Sequence, residues 1–161
     1  MSEVELEVID LKEVVLSNNS FGPSDVGSIR SAVSENYGHF GELRDAVNEM
    51  EADDLLSPAG KTKMGVCQFL LGKFSDALTT LQTADGSAMA LFYQARCMFE
   101  LGSYNQTVGV YEKAQTSGYN EDQCKIGVAE AYRYAGRIEE ALAILDNIFG
   151  PAEQTADYMY Q

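Results

Sequence analysis

Apolar and small residues recur at helical spacing around three glycines of the chain, Gly72, Gly102 and Gly136. Each glycine is followed by a large apolar residue, a small or short residue, a bulky residue and one further residue in the same order. Because these four positions advance by three or four residues, they share one face of a helix. They are Phe74, Tyr104 and Ile138; Ala77, Thr107 and Ala141; Leu81, Tyr111 and Leu145; and Ala84, Ala114 and Ile148.

Small residues also precede each of these glycines at matching positions. One set consists of Gly65, Ala95 and Ala129, and a second set, two residues later, consists of Cys67, Cys97 and Ala131. A large side chain at such a position would push neighbouring helices apart, since protein interiors are close-packed. The pattern therefore predicts helix–turn–helix units whose two helices approach closely at these residues.

The units repeat along the chain at nearly constant spacing. The step from Gly102 to Gly136 sets the period, and the step from Gly72 to Gly102 is about one helical turn shorter, with a short connection, TADGSA. A full period back from Gly72 reaches Gly38, where Phe40 keeps the following large residue but Leu43 replaces the small one. We expect this copy to be a degraded helical hairpin.

With its glycine, its small residues and its 34-residue period, the sequence resembles the tetratricopeptide repeat family. The resemblance implies an all-α fold, a right-handed α-solenoid of antiparallel helix pairs in the form of a superhelix. Three copies span residues 58–87, 88–121 and 122–155, and a degenerate first hairpin spans residues 24–57. The tryptophan and the proline common in the family are missing from their usual positions in these copies.

The two ends are less regular. Residues 3–8, EVELEV, alternate as a strand would, whereas VIDLKEVVL suits a helix, so residues 1–23 are expected to form an N-terminal extension or a capping helix. Residues 156–161 fall at the start of the next repeat and predict the beginning of a further or capping helix. Such an ending fits either a terminal helix or a piece of a longer protein, and we favour the latter.

Charge narrows the choice of partners. The chain carries a formal net charge of −14, and residues 1–56 hold 13 of its 25 acidic side chains but only 3 of its 11 basic ones. Binding to nucleic acid or to an acidic membrane requires clustered Lys and Arg, so neither partner is expected. An acidic N-terminal start and the lack of a long apolar run favour a cytoplasmic protein. Three cysteines without a C-x-x-C pair suit free thiols in a reducing compartment.

No combination of residues indicates an enzyme. The only histidine, His39, is expected in an exposed turn, and no metalloprotease, phosphate-binding or nucleophile-elbow motif is present. Pairs such as Glu139 and Glu140 are most simply solvated helix charges. We therefore expect no catalytic residues, no metal and no cofactor.

The resemblance places a partner-binding groove on the first helix of each hairpin, where a stacked solenoid offers a concave surface. Phe69 and Phe99 occupy the same position in adjacent copies and would form a short aromatic ladder. The alternative is that these side chains belong to the core or are covered by the N-terminal segment. The expected groove residues are Thr62, Val66, Phe69, Phe92, Arg96, Phe99, Ile126, Glu130, Arg133 and Tyr134.

The family's clamp for the C-terminal carboxylate of chaperone tails is not expected, because the clamp positions do not hold its set of Lys and Asn residues. In this chain they hold Ala59, Thr62, Lys63 and Val66 in one copy, and Met89, Phe92, Tyr93 and Arg96 in the next. Aromatic side chains and Arg on a concave surface are typical of binding hot spots. Two hypotheses follow. The favoured one is a non-catalytic protein–protein interaction scaffold or adaptor that binds a peptide or amphipathic helix, with basic flanks suiting the acidic chain. The alternative is a small acidic chaperone that shields an apolar segment of an export substrate.

Overall fold

A computed structural model describes residues 10–150 of the chain, and these form α-helices without a β-strand. The alternatives for residues 3–8 and the further helix expected from residue 156 therefore lie outside the described residues. The helices are α1 (Leu11–Ser17), α2 (Pro23–Glu35), α3 (Gly38–Glu51), α4 (Pro58–Leu70), α5 (Phe74–Gln82), α6 (Ala88–Glu100), α7 (Tyr104–Thr116), α8 (Glu121–Tyr134) and α9 (Ile138–Phe149).

Three antiparallel hairpins, α4–α5, α6–α7 and α8–α9, follow one another, and each second helix also contacts the first helix of the next hairpin. This stacking confirms the expected all-α helical repeat solenoid. One cluster of buried side chains runs through α4 to α8 and includes Val26 of α2. A second joins α1, α3 and α4 and includes Ile29 of α2.

Local signals explain where the first helix of each hairpin begins and ends. Side-chain oxygens of Ser57, Ser87 and Asn120 accept a backbone N–H three residues later and cap α4, α6 and α8. Each of these helices stops before a glycine with positive φ, for example Gly102 at 86°. A residue with a Cβ rarely adopts this conformation, which explains why the glycine recurs in each copy.

The small residues lie where two helices touch. A Cβ atom on Gly65 in α4 would lie only 2.6 Å from two side-chain carbons of Leu81 in α5, so a larger residue does not fit at this position. Cys67 and Cys97 are fully buried, and all three cysteines, with Cys124, are free thiols. Thr107 replaces the alanine of the other copies and is fully buried. Its hydroxyl is satisfied there, because it donates a hydrogen bond of 2.9 Å to the Ser103 carbonyl one turn earlier.

The N-terminal part does not pack as a regular hairpin. Although α2 and α3 lie in the expected segment 24–57, α3 makes its more extensive contact with α1, and α2 contacts α3 only slightly. Leu11 and Val15 of α1 are buried against Leu43 and Val47 of α3. Thus α1 occupies the place beside α3 that the repeat pattern would give to α2.

Both ends of α1 are held by polar groups of other helices. At its start, the Glu42 carboxylate accepts a hydrogen bond of 2.7 Å from the Leu11 N–H and also pairs with His39 Nδ1 at 2.8 Å. At its end, the buried Lys63 ammonium donates to the carbonyls of Val15 and Asn18 at 2.8 and 2.9 Å. His39 is therefore a half-buried residue of α3, and the expectation of an exposed turn histidine was wrong.

Replacing Lys63 by methionine is expected to lower the free energy of unfolding by about 1 kcal/mol, because the C-terminal carbonyls of α1 lose a charged donor. Urea unfolding followed by circular dichroism measures this change. Lys61 is the control, since no polar partner of its side chain lies within residues 10–150 and Lys61→Met should leave stability nearly unchanged. Equal effects of the two substitutions would contradict the capping role.

Candidate partner-binding cleft

The expected groove residues divide into a buried and an accessible group. Val66 is fully buried in the core, and Phe69 packs against Phe74 and Tyr93 with ring centroids 5.6 and 5.5 Å apart. Thr62 is buried too, and its hydroxyl donates a hydrogen bond of 2.7 Å to the Asp85 carboxylate. These three side chains are therefore mostly buried within the solenoid.

The expected aromatic ladder does not form. Phe99 packs against Tyr104 and Tyr134, with centroids 5.3 and 5.1 Å apart, whereas the contacts of Phe69 are to Phe74 and Tyr93. Each phenylalanine thus meets the aromatic residue just after the glycine of its own hairpin, and a ring of the following hairpin. Tyr134 is 56% exposed and Arg133 is also exposed. The aromatic group of Phe99, Tyr104 and Tyr134 therefore lies at the protein surface.

Four of the ten expected residues meet in one open cleft, which we call the α2–α8 cleft and which has a volume of about 360 Å³. Helix α2 forms one wall, and α6 and α8 form the other. The four expected residues are Phe92, Arg96, Ile126 and Glu130, and the cleft is completed by Pro23, Val26, Gly27, Arg30, Tyr93, Tyr119, Gln123 and Gly127.

An aromatic floor supports this cleft. The rings of Phe92 and Tyr119 are stacked, with centroids 4.1 Å apart and an angle of 13° between their planes. Phe92 also meets Tyr93 and Tyr111 edge-on at 5.2 and 5.5 Å. Such pairs stabilise each other beyond the area they bury, so the floor is expected to be rigid.

The floor also contains phenol groups. Burial raises the pKa of Tyr111 to about 12, and burial together with the neighbouring Tyr93 hydroxyl raises the pKa of Tyr119. Tyr119 lines the cleft and, being protonated near neutral pH, can donate a hydrogen bond there, whereas Tyr111 is 1% exposed and does not line it. Arg96 lies with its guanidinium carbon 5.7 Å from the centre of the Phe69 ring, a cation–π arrangement.

Several cleft residues were not expected from the sequence. Tyr119 stands where the family usually has proline, and its repeat position relative to Phe92 was a signal that could have indicated the contact. Arg30 and Val26 had no such signal, because nothing in the pattern of α2 shows that this helix would lie against α6 and α8.

Within residues 10–150, no group of three or more His, Cys, Asp or Glu side chains is placed to hold a metal ion. None of the helices described is both long and apolar enough to cross a membrane.

Comparisons with known proteins agree with this architecture. Residues 89–117, which cover most of α6 and α7, match the tetratricopeptide repeat family. Two crystal structures of MamA have a similar fold. One has a TM-score of 0.62 at 20% identity over 84% of this chain and 78% of MamA. The other has a TM-score of 0.61 at 19% identity over 92% and 88%, respectively.

No curated protein sequence matches the chain significantly. The identity to the two structures is low, so their likeness establishes the fold, while the matched repeat and its internal copies carry the family resemblance. Residues 89–117 are therefore identified as a tetratricopeptide repeat, and the stacked hairpins with their glycine turns give residues 58–149 the architecture of a helical repeat solenoid.

Proposed function

We propose that the chain is a non-catalytic protein–protein interaction scaffold that binds a peptide or an amphipathic helix of another protein along α6 and α8. The fold supports a protein-interaction role in general, since stacked helical hairpins present an extended concave surface. The observation that carries the finer proposal is the α2–α8 cleft, which combines an aromatic floor with an accessible apolar side chain, Ile126, and two charged ones, Arg96 and Glu130.

The chemistry of the cleft suits an apolar side chain with a basic neighbour. Phe92 and Tyr119 provide a flat apolar surface, and Ile126 extends it along α8. Glu130 lies in the cleft, and the whole chain carries a net charge of −14, so basic residues beside the apolar anchor would be attracted. Aromatic anchors usually contribute most of the binding energy in such sites.

Substituting Ile126 by aspartate is expected to lower affinity for the natural partner at least tenfold, because a charge replaces an apolar contact at the mouth of the cleft. The measurement is affinity capture with the wild-type chain, identification of the retained protein and titration of that protein against each variant.

Ile138→Asp is the matched control. Ile138 is in the same hairpin and 49% exposed, but it does not line the cleft. A partner that both variants retain equally, or that Ile138→Asp alone releases, would overturn the proposed site. Phe69 is unsuitable for this test, since truncating a buried ring destabilises the fold itself.

A further inference from the structure

Helix α2 is attached to the rest of the protein more weakly than α1, although it is the longer helix. Two of its side chains, Val26 and Ile29, are buried, and they are 3% and 4% exposed. Within residues 10–150, no hydrogen bond or ion pair joins a side chain of α2 to another helix; those of Asp25 and Ser28 are local. By contrast, α1 is held by Glu42, by Lys63 and by an ion pair of 2.6 Å between Lys12 and Glu49.

An open cleft lies on each side of α2, so this helix covers only part of the surface against which it packs. The α2–α8 cleft borders one side. On the other side, a second cleft of about 420 Å³ lies between Ile29 and Val33 of α2 and the side chains of Phe40 and Phe74. Both clefts are open to solvent, so the contact of α2 with the solenoid is centred on its two buried side chains, Val26 and Ile29.

The surface under α2 has the composition of a binding site. Val26 belongs to the same buried cluster as Phe69, Phe92 and Tyr93, which lie on α4 and α6, the first helices of their hairpins. These helices line the concave side in tetratricopeptide repeats. Arg30 borders both clefts, one shared with Glu100 and the other with Glu130. A helix with apolar residues on one face and a basic residue beside them therefore already occupies the groove.

We infer that α2 is a replaceable occupant of the concave groove and that the amphipathic helix of the partner binds by taking its place. This inference rests on the proposed function, and it specifies the partner as a helix with apolar residues spaced like Val26, Ile29 and Val33 and a basic residue next to the second. Release of α2 would expose part of α3, since Ile29 packs in the same cluster as Leu43, but α1 makes the more extensive contact with α3 and would stay in place. Displacement would join the α2–α8 cleft to the second cleft and so extend the site to Phe69 and Phe74.

A synthetic peptide of residues 19–37 with a fluorescent label serves as the probe. The full chain with Val26→Asp and Ile29→Asp, which weaken the hold of its own α2, is expected to bind this peptide at least tenfold more tightly than the wild-type chain. The same peptide carrying the two aspartates should bind neither protein. Equal affinity of the wild-type and the weakened chain for the unmodified peptide would overturn the inference.

Two further measurements keep the inference testable if the weakened chain proves less stable. Leu11→Asp with Val15→Asp in α1 is the matched pair, and it should lower the melting temperature more than the pair in α2. In the unmodified chain, amide hydrogens of residues 23–35 are expected to exchange at least tenfold faster than those of residues 88–100. A larger melting-temperature loss for the α2 pair, or equal protection of the two helices, would overturn the inference.

These experiments do not involve the natural partner, so they fail independently of the proposed function. One outcome is that capture of the partner depends on Ile126 while the amide hydrogens of residues 23–35 exchange as slowly as those of residues 88–100. In that case the proposed binding site on α8 is supported and the displacement of α2 is refuted. If the peptide binds the weakened chain but no partner depends on Ile126, the groove accepts a helix while the proposed site on α8 is wrong.

Discussion

Raising the pH from 8 to 11 is expected to lower the free energy of unfolding by about 5 kcal/mol through the thiols of Cys67 and Cys97 alone. Burial raises the pKa of each of these thiols from 9.0 to about 12. Both side chains are fully buried in the helix interfaces, so their thiolates cannot be solvated in the folded protein.

The sign follows from the protons that each state binds. Above pH 9 the unfolded chain loses the thiol protons, whereas the folded chain keeps them up to about pH 12. Between pH 9 and pH 12, each thiol therefore lowers the free energy of unfolding by about 1.4 kcal/mol per pH unit. Below pH 9 both states keep the proton, and the stability does not depend on this thiol's titration. Burial also raises the pKa of Tyr111 to about 12 and of Cys124 to about 11, which adds to the loss at alkaline pH.

Urea unfolding at a series of pH values measures this dependence. Cys67→Ala with Cys97→Ala is the informative variant, because it should flatten the alkaline slope even though the cavities lower stability at neutral pH. An unchanged slope between pH 9 and 11 in this variant would show that other groups control alkaline unfolding.

Substituting Gly127 by alanine is expected to lower the free energy of unfolding by about 1 kcal/mol, the difference between an overpacking cost and a smaller gain in helix propensity. A Cβ on Gly127 in α8 would stand 2.7 Å from two ring carbons of Tyr111 in α7, and that ring is only 1% exposed. The ring has no free space to enter, since it also packs against Phe92. Overpacking of this kind costs about 1–3 kcal/mol, which exceeds the ~1 kcal/mol that alanine gains over glycine as a helix former.

Gly109 provides a control of opposite sign. It lies in α7, is exposed, and has no atom within 4 Å of the position that an added methyl group would take, so Gly109→Ala should raise stability by about 0.5–1 kcal/mol. Chemical unfolding of the two single variants under one set of conditions compares them directly. A stabilising effect at both positions would mean that Tyr111 moves aside without cost.

The candidate site was predictable only in part. The repeat position of Phe92, Arg96, Ile126 and Glu130 placed them on the first helices, and the structure brings them together in one cleft. The same reasoning also selected Val66 and Phe69, which are buried. Periodicity shows which face of a helix is apolar, but it does not show which other helix covers that face.

By itself the sequence determined the helical repeats, their turns and their close contacts. These features depend on neighbours within a single repeat: a glycine that can adopt positive φ, as at Gly102, and small residues such as Gly65 where a hairpin closes. Only the tertiary structure decided that α1 pairs with α3 and that α2 borders a cleft with α6 and α8. The physical reason is that polar groups far away in sequence, Glu42 and Lys63, hold the ends of α1, and helical periodicity carries no information about such distant contacts.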